Sequence, residues 1–382
     1  MEKKIEAIKS IGEEIIGLEN LERLLTHKKN VVAYDGFEPS GRMHIAQGLL
    51  RAHNVNKFVN AGVKFKFWVA DWFALMNLKM GGDINKIQKA GKLMIETWKA
   101  CGMNVDTKDG DGNPMIEFIW SSEEINKRSD EYWKLVLDIG TKFGLTRIRK
   151  CTQIMGRKED DTQKELLKQL SLELDTLDKD NIRSIVDQLL EKEQDDKNDL
   201  SASQIFYPVM QCADVFFLGV DIASLGLDQR KVNMLALEYC DKIKRKNKPI
   251  IVSHHMIMGL DGSDKMSKSN PDNTIFMDDS EADVKRKITK AFCEPGNIEK
   301  NPLLDWTKWL IMPITITFTI LDKTYNMYQD LEDDFRNLIV HPKDLKNTLI
   351  TIINQLLEPV RNKFMQDKEI NNLLSEVKKF RC

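Results

Sequence analysis

The stretch Val31-Val32-Ala33-Tyr34-Asp35-Gly36-Phe37-Glu38-Pro39-Ser40-Gly41-Arg42-Met43-His44-Ile45-Ala46-Gln47 changes the texture of the chain. Its first four residues form a short apolar run of the buried-strand type. Gly36, Pro39 and Gly41 then make a turn. A helical pattern follows from about His44 to Asn60, and Gly62 stops it. Val63 to Ala70, rich in β-branched and aromatic residues, reads as a second strand. Strand, helix, strand at this spacing predicts a parallel α/β unit with a right-handed crossover.

The alternation continues outward. Asp83 to Cys101 reads as a helix ended by Gly102, and Met115 to Trp120 as a strand. A helix then runs from an N-cap at Ser122 to about Phe143, ended by Gly144. Further on, Val215 to Gly219 reads as a strand, Gln229 to Arg245 as a helix and Pro249 to Ser253 as the last strand. Before this block, residues 1–29 read as two short amphipathic helices on Ile5, Ile8, Ile11, Ile15 and Leu18. Inside it, about 158–200 is dense in charge yet keeps helical apolar spacing (Leu166, Leu170, Leu174; Ile182, Ile185, Leu189), a charged helical insertion. After Asp278 the pattern is helical throughout: Glu281–Phe292, Leu303–Leu310, Tyr325–Val340, Lys343–Leu357 and Val360–Phe380, parted by Pro302, Pro313, Pro342 and Pro359. The expected division is N-terminal helices over 1–30, a Rossmann-like parallel-sheet domain over 31–277 and an α-helical domain over 278–382.

The chain has 382 residues, 42% apolar and 30% charged, with a net charge of −2, a soluble globular composition. It is not basic overall, which excludes a nucleic-acid coat but leaves room for a local basic face. The six cysteines contain no CxxC pair, so neither a zinc site nor a disulfide framework is indicated, and a reducing compartment is expected. The N-terminus alternates charge with apolar residues, unlike a signal or transit peptide. Trp309 to Leu321, the longest apolar candidate, contains Pro313 and is too short to span a bilayer, so no membrane partner is expected. Neither a G-x-G-x-x-G after a strand nor a P-loop is present.

In an open parallel sheet, ligands meet the carboxyl ends of strands and the helix N-termini there. His44 and Gln47 are three apart and share one face of a first helical turn, where imidazole and amide donors suit phosphate oxygens. Taken alone, a histidine there serves as well as a cap. In Gly226-Leu227-Asp228-Gln229-Arg230-Lys231 the glycine permits close approach and the aspartate suits ribose hydroxyls, or caps the helix. Tyr207, Gln211 and Asp214, spaced i, i+4, i+7 among apolar neighbours, put three polar groups on a buried helix face. Gly259 to Pro271 carries Lys265 and Lys268 among glycines and serines, a mobile cationic loop or an ordinary solvated turn. Lys242 to Lys248 is a basic run, for phosphate or for a solvated helix end.

Together, His44-Ile45-Ala46-Gln47 and Lys265-Met266-Ser267-Lys268-Ser269, followed by a helical tail, resemble a class I aminoacyl-tRNA synthetase. Ala46 and Gln47 depart from that family's His-Ile-Gly-His. Within the class the chain is most similar to tyrosyl-tRNA synthetases of the archaeal and eukaryotic cytosolic kind. The likeness runs through Tyr34-Asp35-Gly36, Tyr207 to Asp214, Gly226 to Lys231, Ala291 to Asn297 and His341 to Lys346. The resemblance implies L-tyrosine, ATP with Mg²⁺ and tRNA(Tyr) as partners, no tightly bound protein-ligated metal, a homodimer and a cytoplasmic location. It implies Tyr34 and Asp214 at the tyrosine phenol, with Tyr207, Gln211 and Gln229 at its ammonium and carboxylate end and Gly36 in close backbone approach. It implies Gly226 and Asp228 at the ribose, Ser40, His44, Gln47, Lys265 and Lys268 around the nucleotide phosphates, and Met266 in the ATP site. Among these, His44, Gln47, Lys265 and Lys268 would be catalytic. Arg230 and Arg157 would meet the tRNA acceptor stem; His341 and Asp344 would meet the anticodon. Phe73 stands where the family often has histidine, and the short Phe318–Tyr328 connection offers no evident anticodon-stacking aromatic.

Three rivals fit less well. A tryptophanyl-tRNA synthetase shares the fold, but the acid–phenol pair Asp214 and Tyr34 suits a phenol better than an indole. An inactive RNA-binding paralogue has no need of Lys265 and Lys268. A small nucleotidylyltransferase lacks the helical tail.

Overall fold

The computed structural model describes residues 1–152, 170, 181–182, 184–186, 200–266 and 270–380. Its elements in chain order begin with α1 (Glu2–Lys9), β1 (Glu14–Ile16), α2 (Leu21–His27), β2 (Val32–Phe37), a π-helical turn (Ala46–Leu50) leading into α3 (Arg51–Asn60), and β3 (Lys64–Val69). Then come α4 (Asp71–Met76), α5 (Ile84–Ala100), β4 (Ile116–Trp120), α6 (Ser121–Lys127), α7 (Ser129–Lys142) and α8 (Leu145–Cys151). Next are α9 (Ala202–Phe217), β5 (Ile222–Gly226), α10 (Arg230–Lys242) and β6 (Ile250–His254). The tail carries α11 (Glu281–Lys290), α12 (Pro302–Trp306), α13 (Met312–Thr315), β7 (Phe318–Ile320), β8 (Lys323–Tyr325), α14 (Tyr328–Arg336), α15 (Pro342–Gln366) and α16 (Lys368–Val377).

The chain forms two compact units. One holds residues 1–129, 218–230 and 247–382; the other holds 130–217 and 231–246. The first contains a six-stranded sheet in the order β1-β6-β5-β2-β3-β4. All neighbours are parallel except β1, which pairs antiparallel with β6. The expected parallel α/β architecture with a helical tail is therefore present. β2 lies at its centre, pairing Tyr34 with Lys66 of β3 and with Ala223 of β5. The fully buried Phe58, Phe65, Phe67 and Trp98 pack behind it, with Trp98 stacked 4.5 Å from Phe67. Burying each such ring contributes about 1.5–3 kcal/mol. The Trp98 indole N–H also donates to the Gln47 carbonyl at 2.8 Å, so this core seats the start of the helix after β2.

Several boundaries differ from expectation. The 1–30 region includes β1, a three-residue edge strand too short for a periodicity to register. Val215 to Phe217 ends α9, Gly219 turns in the left-handed region, and the strand comes later as β5. A short apolar run fits a buried helix and a buried strand equally. Ser122 is not an N-cap: it lies inside α6, where its hydroxyl and N–H both donate to buried Asp71, and a break at Arg128 separates α6 from α7. Pro359 does not end a helix. α15 runs through it because Leu357, Val360 and Phe364 continue the buried stripe, and packing overrides the local penalty. The tail is not purely helical either: β7 and β8 form a hairpin turned by Leu321 in the left-handed region, with no glycine or asparagine to mark it. Most of the 158–200 insertion, with Arg157, lies outside the described residues.

Candidate active site

The sheet order puts the topological switch between β2 and β5, since the chain leaves β2 towards β3 and β4 on one side and returns on the other. Two glycines sit at the carboxyl ends flanking that switch. A Cβ on Gly36 would lie 3.8 Å from the Trp68 ring, an ordinary contact, so the protein itself does not require glycine there. A Cβ on Gly226 would lie 2.7 Å from Asp228 Oδ1 and 2.8 Å from Met256 Sδ, so this backbone is already closely approached.

Beneath the switch lies a buried polar cluster. Arg51, at the start of α3, brings a terminal nitrogen within 2.6 Å of Asp35 Oδ2 on β2. The same nitrogen lies 2.8 and 2.9 Å from the two ring nitrogens of His254 at the end of β6, and the other terminal nitrogen reaches the Ser224 carbonyl on β5 at 3.4 Å. One guanidinium thus joins three adjacent strand ends. Burial pushes the Asp35 carboxyl up to about 7, against Arg51 and the Gly36 N–H and with help from the charge of Asp228. Burial, with the neighbouring Arg51 charge, holds His254 well below its usual value and keeps its ring neutral. Sequence reasoning missed all three residues. Asp35 carries a signal, a carboxylate inside a strand buried on both faces.

His44 and Gln47 open the helical segment as expected, and the His44 ring nitrogen Nδ1 accepts from the Gln47 N–H at 3.3 Å. The histidine therefore caps the turn, as a lone histidine there would. Its backbone and its neighbours pair with residues 275–277: Ile45 N–H donates to Ile275 at 2.8 Å and Met277 N–H to Met43 at 2.9 Å. Ser40 precedes this pairing, next to Gly41 in the left-handed region.

Lys265 is exposed and rests 3.3 Å from Asp228 Oδ2, which joins the lysine loop to the end of β5. Met266 is buried and donates its N–H to Ile257 at 3.0 Å. Lys268, with Ser267 and Ser269, lies outside the described residues. Gln229 ends the single 3₁₀ turn Leu227–Gln229. Arg230 points its guanidinium at both Glu14 oxygens, at 3.0 and 2.8 Å, tying β1 to the start of α10. His341 is the N-cap of α15, its Nδ1 accepting from the Lys343 N–H at 3.1 Å, and Asp344 sits in that first turn.

In the second unit, Tyr207, Gln211 and Asp214 lie on one buried face of α9, as their spacing predicted. Asp214 is 1% exposed. The Tyr132 hydroxyl from α7 donates to Asp214 Oδ1 at 2.8 Å, with the Met210 carbonyl 3.3 Å away. Phe217 meets the Tyr132 ring edge-on at 4.9 Å. Tyr132 escaped sequence reasoning because nothing local marks it. Among the described residues, no three His, Cys, Asp or Glu side chains gather as metal ligands.

In the first unit, glycines at strand ends, helix-start donors and a lysine beside Asp228 are chemistry that suits a nucleotide. In the second unit, a buried carboxylate with polar companions suits a small polar ligand. A family model described as tRNA synthetases class I (W and Y) matches residues 26–358. The chain is 47% identical to tyrosine–tRNA ligase 1, cytoplasmic, of Arabidopsis thaliana, covering 100% of this chain and 89% of that one. It resembles the Leishmania major tyrosyl-tRNA synthetase solved with tyrosinol at a TM-score of 0.83 and 43% identity, over 100% of this chain and 52% of that one. The chain thus spans about half the length of the Leishmania protein. The Aeropyrum pernix tyrosyl-tRNA synthetase aligns at a TM-score of 0.80 and 29% identity, over 99% of this chain and 98% of that one. With a family model over most of its length and relatives of one specificity over all of it, the chain belongs to the tyrosine–tRNA ligases of class I.

Proposed function

We propose that the protein activates L-tyrosine with ATP and transfers it to the 3′ end of tRNA(Tyr). In the first step a tyrosine carboxylate oxygen attacks the α-phosphorus of ATP, and the bond to the bridging oxygen breaks to release pyrophosphate. In the second, a ribose hydroxyl of the tRNA terminus attacks the tyrosyl carbonyl, and AMP leaves. Neither step needs a side-chain nucleophile; the protein positions the reactants and neutralises charge growing on the phosphates.

The observation that carries this reading is the buried Asp214 carboxylate, oriented by Tyr132 and flanked on its helix face by Tyr207 and Gln211. A buried carboxylate accepts a phenol hydroxyl, and phenylalanine would leave it short of a partner, which is costly. In this reading Tyr34 shares the phenol. Tyr207, Gln211 and Gln229 hold the ammonium and carboxylate end, and Gly36 lets the substrate approach the backbone. Gly226 and Asp228 take the ribose. Ser40, His44, Gln47 and the lysines line the phosphates, with Met266 in the ATP site. ATP enters as its magnesium complex, so few protein ligands serve the metal. Lys265 leaves only an exposed pair with Asp228, worth little in water, when it swings to the phosphates. It therefore favours the transition state over the ground state. Arg230 and Arg157 serve the acceptor stem, and His341 and Asp344 the anticodon. Trp133 and Leu137, one turn apart on α7 and both exposed, support pairing with a second copy. The cytoplasmic name of the Arabidopsis relative supports a cytoplasmic location.

Amino-acid-dependent exchange of pyrophosphate into ATP tests the reading. Tyrosine is expected to drive exchange and tryptophan not. Exchange driven by tryptophan alone would move the protein to the other specificity of the family. No exchange with any amino acid, alongside retained tRNA binding, would make it a non-catalytic paralogue.

A further inference from the structure

Arg42 stands in the turn between Ser40 and His44, and its guanidinium meets a set of carboxylates. Its Nε donates to both oxygens of Asp278, at 2.9 and 3.1 Å, and a terminal nitrogen donates to Asp279 at 3.0 Å. The guanidinium carbon lies 4.0 Å from the centre of the Phe276 ring. Both carboxylates are buried. Each is also held from the helical tail. Lys287 of α11 reaches Asp279 at 2.6 Å, and Lys378, just past α16, reaches Asp278 at 2.8 Å. Arg361 of α15 donates to the Asp279 carbonyl at 2.8 Å.

We propose that Arg42 is a positioning residue for tyrosine activation: through Asp278 and Asp279 it locks the turn carrying Ser40, His44 and Gln47 to the segment leading out of the lysine loop, and anchors both to the helical tail. This rests on the ligase reading above.

The backbone shows why a side chain is needed there. Residues 43–45 and 275–277 meet in a short antiparallel bridge with two N–H···O bonds, too little to fix a turn by itself. Arg42 closes the end of that bridge with three charge-assisted bonds in a planar fork, geometry that a lysine cannot reproduce. The downstream side continues directly to the lysine loop, because Asn273 accepts from the Leu260 N–H at 2.8 Å and Met266 donates to Ile257 at 3.0 Å. In the ligase reading Lys265 and His44 serve the phosphates from two loops, and this bridge links the segments that carry them. The Arg42 guanidinium is taken up by Asp278, Asp279 and the Phe276 ring, so it acts through the turn it holds. A shift of its turn moves one set of phosphate donors against the other and leaves the tyrosine side in place.

Pyrophosphate-exchange kinetics on the full chain, with ATP and tyrosine varied separately, test this. Arg42→Ala is expected to raise the KM for ATP and lower kcat by about tenfold each, the scale of a small misplacement of reacting groups, with the tyrosine KM nearly unchanged. Arg42→Lys should recover part of the loss. Asp278→Asn should reproduce the ATP-side defect, and the Arg42→Ala, Asp278→Asn double variant should be no worse than Arg42→Ala alone, because the two residues act as one unit. Should Arg42→Ala fail to fold, the lysine and asparagine variants carry the same comparison. Equal rises in both KM values, or a lowered melting temperature with unchanged kinetics, would reduce Arg42 to a structural residue and overturn the assignment. If the unchanged protein performs no tyrosine-dependent exchange, the ligase reading falls and this assignment with it. Normal exchange in both proteins overturns this assignment alone.

Discussion

Arg51 holds Asp35 at 2.6 Å with both side chains closed to water, directly under the strand ends that flank the switch. A buried pair of this kind punishes the loss of one member more than the loss of both, because the survivor is left buried without its partner. Arg51→Met is therefore expected to cost about 3–5 kcal/mol in denaturant unfolding, and the double variant Asp35→Asn, Arg51→Met noticeably less. Unfolding midpoints for the single and double variants check this; equal destabilisation by both would mean the pair is not the source.

The two glycines should separate cleanly. Gly36→Ala meets only ordinary contact with Trp68, so its melting temperature should match the parent. If the substrate lies against that backbone, the tyrosine KM should nonetheless rise by about a hundredfold. Gly226→Ala must displace Asp228 and Met256, so it should weaken ATP and lower stability together. Separate titrations of tyrosine and ATP, with thermal melts, distinguish the two cases.

Tyr132 orients Asp214 through one hydrogen bond. Tyr132→Phe should raise the tyrosine KM by about tenfold, the worth of one bond to a charged group, while leaving kcat nearly intact. Asp214→Ala should abolish tyrosine activation. Steady-state exchange measures both, and an active Asp214→Ala enzyme would remove this carboxylate from the pocket.

His255 follows β6 and sits between Glu13 at 3.0 Å and Asp305 at 2.6 Å, with its ring stacked 4.7 Å from Trp309. Burial lowers its pKa, but hydrogen bonds and charge from Asp305 and then Glu13 outweigh that and raise it. A raised histidine stabilises the fold fully below its unfolded value near 6.5, and that contribution fades as pH climbs through the higher folded value. The parent should therefore lose stability as pH rises from about 6.5 through the raised folded value, and His255→Gln should show a flatter profile over that rise. Melting temperatures across the range decide it.

The alternation around β2 was legible because strand and helix periods are local. The α9 triplet was legible as a buried polar helix face because its spacing lies within a few residues, whereas Tyr34 and Gly36 were singled out only through the family resemblance. The Arg51 cluster was not, because its histidine partner lies 203 residues away and only the sheet order brings them together. Tyr132 and the Arg42 carboxylates were hidden for the same reason. Val215 misled because an apolar triplet has no period long enough to choose between helix and strand, and β7 and β8 were missed because each is three residues long and their turn lacks the glycine or asparagine that marks a hairpin.

The neighbours His254 and His255 are pushed in opposite directions, one ring kept neutral beside a guanidinium and the other held towards its charged form between two carboxylates. Successive residues at a strand's end face opposite ways, so these duties depend on parity rather than on either side chain alone. Deleting one residue within β6 would bring His255 to the place beside Arg51 and Met256 to the place between Glu13 and Asp305. Inserting one would bring Ser253 beside Arg51 and His254 between the two carboxylates. The strand before the lysine loop is thus fixed in length as well as in sequence, a constraint that melting temperatures and activity of such indel variants would read directly.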